Sequence, residues 1–440
     1  MIWGEIMKTN YKFKDLPIAA RRHVRIYQFQ QFLSWGGFGI TIVVLVLLLQ
    51  ERGFNLFDIA IITATYSGTA LLFELPLGGL ADGIGRKPVY ILGVFADIAG
   101  LLTLLYFRSF EAAVASYAFY GFGRALSSGS LDAWYIETFH KLAPKFGTVL
   151  ILAKVQFGGA IGLAIGAIFG GLIADFFGSY MHTIGYGKYD APLIANFIVS
   201  IFMLFYTILV IKEDGRPFNR QAIKNGFANV PIILRDSLKY GLGHQIVLVL
   251  LVSVGFSSLA FFVLETFWIP FAKPMIGSQY AVSIIGIITS IYFFSIAIGV
   301  SFSTPLVALF KGQNIRALIF IVVLSGMFFI GLSFATNIYI FSLVLFALNA
   351  AKGASGAPRD SLFHAYVPNN KRSTLLSLQS LVMQVGGLVG MLGLGFVAEK
   401  YSIATAWQFG GSITIISGLV LLVLPKRMEN TPVVGRDDAD

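Results

Sequence analysis

The chain has 440 residues, of which 56% are hydrophobic and 12% are charged, and its mean hydropathy is +0.78. This composition is typical of a membrane protein and leaves no room for a soluble domain. The absence of cysteine excludes disulfides and thiolate metal sites, and the net charge of +10 lies in short segments between apolar runs, which favours contact with anionic lipid over nucleic acid.

Twelve apolar segments follow one another along the chain. Each is long enough for a bilayer core of about 30 Å, which needs roughly 20 apolar residues per helix. They cover residues 26–49, 57–78, 88–107, 111–137, 147–174, 191–211, 245–270, 282–305, 315–335, 337–364, 373–398 and 403–424. The sequence therefore predicts an all-α polytopic membrane protein with twelve transmembrane helices.

The basic residues predict the orientation of these spans. With the N-terminus in the cytosol, the outer segments hold only Arg52, Arg108, Lys188, Lys273 and Lys400, and the spans hold Arg124, Lys154, Lys352 and Arg359. The rest of the 32 Lys and Arg residues are then cytosolic, as the positive-inside rule requires. Residues 1–25 lack an apolar core and are predicted to be a cytosolic tail rather than a signal peptide, and 425–440 are predicted to be a second cytosolic tail.

Two carboxylates lie inside spans two and three. Glu74 precedes Gly78 by four residues and Asp82 by eight, so the three share one face of span two. Asp97 lies within span three. Ionisable groups inside a membrane span are costly and often carry protons, so Glu74 is the first candidate for proton coupling and Asp97 the second. A hydrogen bond to a neighbouring helix is the structural alternative.

A glycine-rich loop, residues 78–89, joins spans two and three and reads GGLADGIGRKPV. It lacks the G-x-x-x-x-G-K-[ST] order and the third glycine of a dinucleotide fold, so we exclude a phosphate loop. Glycines let the chain turn sharply and let helix ends approach each other, and Asp82 suits the positive N-terminal end of a helix. The loop therefore predicts a latch at the cytosolic face, with a plain turn as the alternative.

Span five contains GGAIGLAIGAIFGGL, residues 158–172. Its glycines at 162, 166, 170 and 171 (Gly162, Gly166, Gly170 and Gly171) form a small-residue stripe on one helix face. Such a stripe indicates close packing against another helix.

Residues 212–244 form the longest polar interruption and divide the chain into halves, 26–211 and 245–424. A shift of 228 positions superimposes the second half on the first at several polar and glycine positions. The pairs are Arg124 with Lys352, Asp132 with Asp360, Gln156 with Gln384, and Gly158, Gly159 and Gly162 with Gly386, Gly387 and Gly390. Such an internal repeat is expected for a transporter built of two parallel six-helix halves.

The repeat also predicts a central cavity. Burying an ionisable residue in a span costs roughly 2.5–3.5 kcal/mol on insertion scales, so Arg124 and Lys352 are functional candidates. Asp132 and Asp360 each follow their base by eight residues, about 12 Å along the same helix face. The predicted cavity residues are Arg124, Lys352, Gln31, Gln156, Gln384 and Asp360, and internal ion pairs that pin helices are the alternative. Glu265, near the outer end of span seven, is predicted to lie at the membrane interface or in a gate.

The loop after span two resembles the signature of the major facilitator superfamily, G-x-L-A-D-x-x-G-R-[KR]. The matching residues are Gly78, Leu80, Ala81, Asp82, Gly85, Arg86 and Lys87, and Gly83 stands where members usually carry a base. The resemblance implies that Asp82 binds the start of span eleven near Ser373. It also implies that Arg86 binds Asp132 or Glu137 at the cytosolic end of span four.

Span five resembles the antiporter signature of the drug:proton exporters, G-x-x-x-G-P-x-x-G-G, with Ala167 in the position of the proline. These resemblances imply a monomeric secondary transporter in the cell membrane that exports an amphipathic small molecule by proton-coupled alternating access. Proton-coupled uptake of a small anionic metabolite and a non-transporting receptor of the same fold are the alternatives. No catalytic motif occurs, and the five histidines are dispersed, so we expect no enzyme activity, cofactor or metal site.

Overall fold

The computed structural model describes residues 11–214, 218–366 and 372–424. Within these ranges the fold is all-α, without a strand. Residues 1–10 of the predicted N-terminal tail and the whole predicted tail 425–440 lie outside the described residues.

Sixteen α-helices follow one another in the described ranges. They are α1 (Ile18–Ile42), α2 (Leu45–Glu51), α3 (Leu56–Gly78), α4 (Leu80–Ile84), α5 (Arg86–Tyr106), α6 (Phe110–Ser127), α7 (Ser130–Leu142), α8 (Val149–Thr183), α9 (Asp190–Val210), α10 (Arg220–Gly243), α11 (Gln245–Ala272), α12 (Ala281–Leu309), α13 (Asn314–Leu332), α14 (Ile338–Tyr366), α15 (Arg372–Lys400) and α16 (Ile403–Val420). Short 3₁₀ turns occupy Phe13–Asp15, Lys273–Met275 and Leu421–Val423.

Eleven helical segments in the described ranges are long and apolar enough to cross a membrane. They coincide with eleven of the twelve predicted spans. The predicted span 111–137 is not one continuous helix, because α6 ends at Ser127 and α7 begins at Ser130. Gly129 between them has a φ of 69°, a left-handed conformation that glycine adopts without steric cost. The sequence predicted that Arg124 and Asp132 share one helix face. They do not, because they lie on two different helices.

Two segments predicted to lie outside the spans are helical. α1 begins at Ile18, eight residues before the apolar segment that starts at residue 26, so the end of the predicted tail belongs to the first helix. α10 occupies most of the predicted linker 212–244. Its Gly226 lies against Gly79, where the two α-carbons approach too closely for a side chain on either residue.

The chain forms two compact units. Within the described residues, the first comprises 11–48, 72–214, 218–227 and 282–290, and the second comprises 49–71, 228–281, 291–366 and 372–424. In the first unit, Tyr27, Tyr135 and Phe139 are among the largest fully buried side chains. The first part of α3 groups with the second unit, and the start of α12 groups with the first.

Equivalent glycine contacts recur in the two units. In the first, Gly158, Gly159 and Gly162 of α8 lie against Gln28, Trp35 and Phe32 of α1, respectively. In the second, Gly386, Gly387 and Gly390 of α15 lie against Gly255, Phe262 and Leu259 of α11. Each residue of α11 is 227 positions after its counterpart in α1, and each glycine of α15 is 228 after its counterpart in α8. The internal repeat is therefore also a repeat of packing.

Candidate functional site

The predicted latch loop is held by an ion pair to α7. Gly85 has a φ of 97° and joins α4 to α5, so Arg86 starts the new helix. One guanidinium nitrogen, Nη2, donates to Glu137 Oε1 at 2.7 Å and lies 4.0 Å from Asp82 Oδ1. The structure thus brings Arg86 to Glu137. Asp82 is largely exposed, with 63% of its side chain accessible, and the region around Ser373 lies at the edge of the described residues, where its side chain is not described.

A carboxylate that the sequence analysis missed caps the same helix. The two oxygens of Glu213 accept hydrogen bonds from the backbone N–H groups of Arg86 and Lys87, each at 2.9 Å. Lys87 Nζ in turn donates to the carbonyls of Ile208 and Ile211 at the end of α9, each at 2.7 Å. A negative group at a helix N-terminus and a positive group at a helix C-terminus are both stabilised by the helix dipole. The loop therefore joins α5 to both α7 and α9.

Asp132 does not contact Arg86 in this arrangement. Its Oδ1 accepts a 2.6 Å hydrogen bond from Tyr27 Oη of α1. Gln31 Nε2 donates to the same hydroxyl at 2.7 Å, and Trp35 Nε1 donates to Gln31 Oε1 at 3.1 Å. Gln31, which the sequence placed in a cavity, is one member of a polar chain that runs from α1 to α7. Tyr27 is its centre, and the sequence analysis missed it because a buried tyrosine in an apolar helix resembles core packing.

The carboxylate of Asp97 lies at the contact between α5 and α6. It is wedged against Gly123, where a side chain larger than hydrogen would collide with its Oδ1 and Cγ. Among the described residues, no hydrogen bond or ion pair involves this carboxylate. Glu74 is half-buried near the end of α3, two residues before Pro76, and takes part in interactions of its own. The two predicted coupling carboxylates thus differ in their surroundings.

Lys352 of α14 pairs with Glu265 of α11. Its Nζ lies 3.7 Å from Glu265 Oε1 and 2.7 Å from the centre of the Phe261 ring. Tyr292 Oη donates to the same Glu265 oxygen at 3.1 Å, and Trp268 stacks on the Tyr292 ring at 6.2 Å. The acid that neutralises Lys352 is therefore Glu265, which the sequence placed at an interface or gate, and not Asp360, which is exposed.

The remaining cavity candidates are not equivalent in their surroundings. Arg124, near the end of α6, is exposed and has interactions within the chain. Gln156 is exposed, whereas its repeat partner Gln384 is buried with 4% of its surface accessible. The repeat in sequence therefore does not place these two amides in matching environments.

The glycine stripe of span five packs helices together. Gly162, Gly166 and Gly170 lie against the backbone carbonyls of Phe32, Gly36 and Ile40 in α1. Gly171 lies against Val282 and Ser283 at the start of α12. Four contacts of this kind leave no room for a methyl group, so the stripe serves close helix packing.

A second cluster that the sequence analysis missed surrounds Asp175 of α8. Its side chain is fully buried, and its Oδ1 lies 2.8 Å from Lys188 Nζ. Its Oδ2 accepts from the backbone N–H and the hydroxyl of Ser283 at 2.7 and 2.8 Å. Asp175 thus caps the N-terminus of α12 while paired with a base. The sequence gives little signal for it, because Ser283 is more than a hundred residues away.

Comparison with known proteins identifies the family of this fold. The profile of the Major Facilitator Superfamily matches residues 29–273 and 256–438. An uncharacterized MFS-type transporter of Methanocaldococcus jannaschii is 21% identical over 409 residues, which cover 91% of this chain and 97% of that protein.

Solved structures share the fold at low sequence identity. The nucleoside transporter NupG has a TM-score of 0.71 at 15% identity and covers 92% of this chain and 98% of its own. A bacterial homolog of the human lysosomal transporter Spinster has a TM-score of 0.67 at 14% identity, with 95% and 99% covered. Identities this low show a shared fold alone, since one fold can host many functions.

Proposed function

This chain belongs to the Major Facilitator Superfamily, and we propose that it exports an amphipathic small molecule by proton-coupled alternating access. That it is a membrane transporter and not an enzyme follows from its family and relatives. The substrate, the coupling ion and the direction are the parts that we propose. We also propose that both termini are cytosolic in the cell membrane, because this orientation puts most Lys and Arg residues inside.

The observation that carries the proposed substrate class is the Lys352–Glu265 pair among aromatic rings. An acid and a base 3.7 Å apart, with Phe261 and Tyr292 in contact with them, offer both charge and apolar surface. Aromatic faces bind apolar ring systems and cations, and the charged pair can exchange its partners for a polar group of the substrate. These features suit a molecule that is apolar over most of its surface and carries a basic or zwitterionic group.

The Lys352–Glu265 pair makes an anionic substrate less favourable. Lys352 would attract an anion most strongly if it had no carboxylate beside it. Since Glu265 already neutralises its charge, binding an anion would require the pair to be broken. Uptake of a small anionic metabolite is therefore the weaker alternative.

Asp97 supports proton coupling more directly than Glu74 does. It lies in the middle of α5 and, within the described residues, forms no hydrogen bond or ion pair that would hold it ionised. A carboxylate of this kind can gain or lose a proton without breaking another contact. We therefore rank Asp97 first, although the sequence alone ranked Glu74 first. The proposed direction, export, is based on the resemblance of span five to the antiporter signature. The glycines of that span pack against other helices, and this packing does not indicate a direction of transport.

Purified protein in liposomes with an imposed pH gradient tests this function. Amphipathic cations, zwitterions and anions are screened for gradient-driven accumulation and for counterflow at equal pH. We expect accumulation of cations or zwitterions in the direction opposite to proton flow. Binding without counterflow would mean a receptor, and accumulation of anions alone would contradict the proposed substrate class.

Variants of the charged pair separate a substrate site from a structural ion pair. Lys352→Gln and Glu265→Gln are each expected to raise KM by about tenfold, the effect of losing one charge-assisted contact. Tyr292→Phe keeps the ring and removes one hydrogen bond, so a smaller rise is expected. The charge-swapped double variant should fold but bind substrate poorly. Full transport by the swapped protein would show that the pair only holds α11 and α14 together.

A further inference from the structure

A basic groove lies at the start of α1, outside the candidate sites described above. It is lined by Ile18, Arg21, Arg22, Arg25, Ile26 and Tyr206, and its cavity volume is about 480 Å³. Tyr206 of α9 donates a 3.1 Å hydrogen bond to the carbonyl of Ile26, which fixes the phenol ring as one wall. Three arginines thus line one groove, and an aromatic ring forms one of its walls.

The guanidinium groups of this groove are not neutralised by the described part of the chain. Among residues 11–214, 218–366 and 372–424, no carboxylate forms an ion pair with Arg21, Arg22 or Arg25. The Nε of Arg21 is buried and lacks a hydrogen-bond partner within the same residues. Arg25 lies over the ring of Phe13, and this contact with a neutral ring does not neutralise the guanidinium charge. Three arginines without a carboxylate partner in the described ranges make the groove suited to an anion that accepts several hydrogen bonds.

The backbone at the N-terminus of α1 also favours an anion in this groove. α1 starts at Ile18 after Pro17, and neither a capping side chain nor an acidic residue satisfies the free N–H groups of its first turn. These N–H groups and the positive end of the helix dipole favour a negative group. Arg21, Arg22 and Arg25 follow at helical spacing, so they extend the same positive surface.

The expected position of the groove relative to the bilayer indicates which kind of anion would bind there. The membrane-crossing segment Ile18–Glu51 has 34 residues, or about 51 Å at the rise of an α-helix, which exceeds the roughly 30 Å hydrocarbon core. Its apolar run starts only at residue 26, so residues 18–25 extend into the layer of lipid headgroups. Ile18, with 77% of its surface exposed, provides an apolar contact for an acyl chain.

We propose that this groove binds the phosphate of an anionic phospholipid, with its acyl chains along Ile18 and Ile26. Arg guanidinium groups bind phosphate oxygens bidentately, which makes three of them in one groove more selective than a diffuse basic surface. The site shares no residue with the candidate substrate and coupling sites. Its occupant is part of the membrane, in the leaflet next to the N-terminus.

Native mass spectrometry of the full-length protein in detergent tests the site. Dioleoyl phosphatidylglycerol and dioleoyl phosphatidylcholine are each titrated into the micelles, and bound lipid is counted. We expect phosphatidylglycerol to bind at least about tenfold more tightly, because a zwitterionic headgroup offsets the phosphate charge. Equal binding of the two lipids would overturn the proposal.

Matched variants and a soluble anion complete the test. Arg21→Gln/Arg22→Gln/Arg25→Gln should lower phosphatidylglycerol binding by about tenfold or more. The control Arg220→Gln/Lys224→Gln/Arg235→Gln removes three exposed charges from α10 and should bind as the wild type does. Should the first triple variant fail to fold, the exposed Arg22→Gln alone must weaken binding. Unchanged binding in the arginine variants, or competition by millimolar inorganic phosphate as strong as that by lipid, would refute a lipid site.

Discussion

Arg86 and Glu137 lie 51 residues apart in the sequence and are joined by a 2.7 Å hydrogen-bonded ion pair. The pair fixes the loop after α3 to the short helix α7. Because the superfamily signature includes this arginine, we propose that the pair belongs to the conformational latch of the cytosolic face.

We predict that Glu137→Gln impairs transport more than it impairs folding. Glu137 is nearly half exposed, so its loss should reduce the free energy of unfolding by about 1 kcal/mol or less. Turnover in liposomes should fall several-fold if the latch is used in each cycle. The exposed Asp82→Asn should also slow turnover while membrane insertion stays normal. Wild-type transport by both variants would exclude a latch at this loop.

Glu213 and Asp214 are neighbouring acids with different expected effects on stability. Glu213→Gln removes the charge that caps α5 and should lower the free energy of unfolding by about 1–2 kcal/mol. Asp214 pairs with Lys141 at the surface, with 92% of its side chain exposed, so Asp214→Asn should change stability by less than about 0.5 kcal/mol. Thermal unfolding in detergent measures both. Equal shifts would mean that the cap contributes no more than a surface pair.

Substitution of the buried carboxylate of Asp175 is expected to lower stability more than substitution of its partner Lys188. Asp175→Asn removes the charge of the carboxylate that pairs with Lys188 and weakens the bonds to Ser283, which should cost about 2–3 kcal/mol of stability. Lys188→Gln should cost less, since the lysine is partly exposed and its loss leaves Asp175 bound to the start of α12. The order of the two unfolding temperatures checks this, and a larger effect of Lys188→Gln would contradict it.

The glycine contacts between α1 and α8 can be tested with a single methyl group. Gly166→Ala would place its Cβ against the carbonyl of Gly36, and we expect a loss of about 1–3 kcal/mol. Gly393→Ala in α15 is the control, because no atom lies within 4 Å of the added Cβ. That variant should keep or raise stability by up to about 1 kcal/mol, since alanine favours a helix. Equal stability of the two variants would show that the contact tolerates a side chain.

Asp97 and Glu74 predict different outcomes for proton coupling. Asp97→Asn should abolish accumulation driven by a pH gradient and keep substrate exchange at equal pH, because the carboxylate can no longer carry a proton. Glu74→Gln should retain part of the accumulation. Both are measured in the same liposomes with the substrate found in the screen. If instead Asp97→Asn accumulates substrate and Glu74→Gln does not, Glu74 is the coupling residue.

The positions of the membrane helices were largely predictable, because bilayer thickness fixes the length of an apolar run. The division of span four at Gly129 was not, since the sequence does not state which glycine adopts a left-handed conformation. The sequence also does not show which neighbouring helix a given side chain faces. The sequence placed Asp360 about two turns from Lys352 on the same helix face, whereas the partner of Lys352 is Glu265 on another helix.

Contacts between distant segments account for the remaining differences. Tyr27 to Asp132 and Asp175 to Ser283 each join residues more than a hundred positions apart. Hydrophobic patterning indicates which residues are buried or face lipid, but it does not indicate which polar side chains contact each other inside the protein. The Arg86–Glu137 pair is different, because the resemblance to the superfamily signature implied a partner for Arg86 at that end of span four, either Asp132 or Glu137.

The matched glycine contacts have the order that duplication of one half of the chain would produce. The contacts of α8 with α1 and of α15 with α11 involve the same positions in the same order, as duplication of a gene for six helices would leave them. A methyl group at Gly162 or Gly390 would collide with a backbone carbonyl, so neither copy could drift there. Elsewhere the copies have diverged, as exposed Gln156 and buried Gln384 illustrate. One helix-packing contact thus occurs twice in this chain, while the polar residues at equivalent positions of the two copies differ in burial.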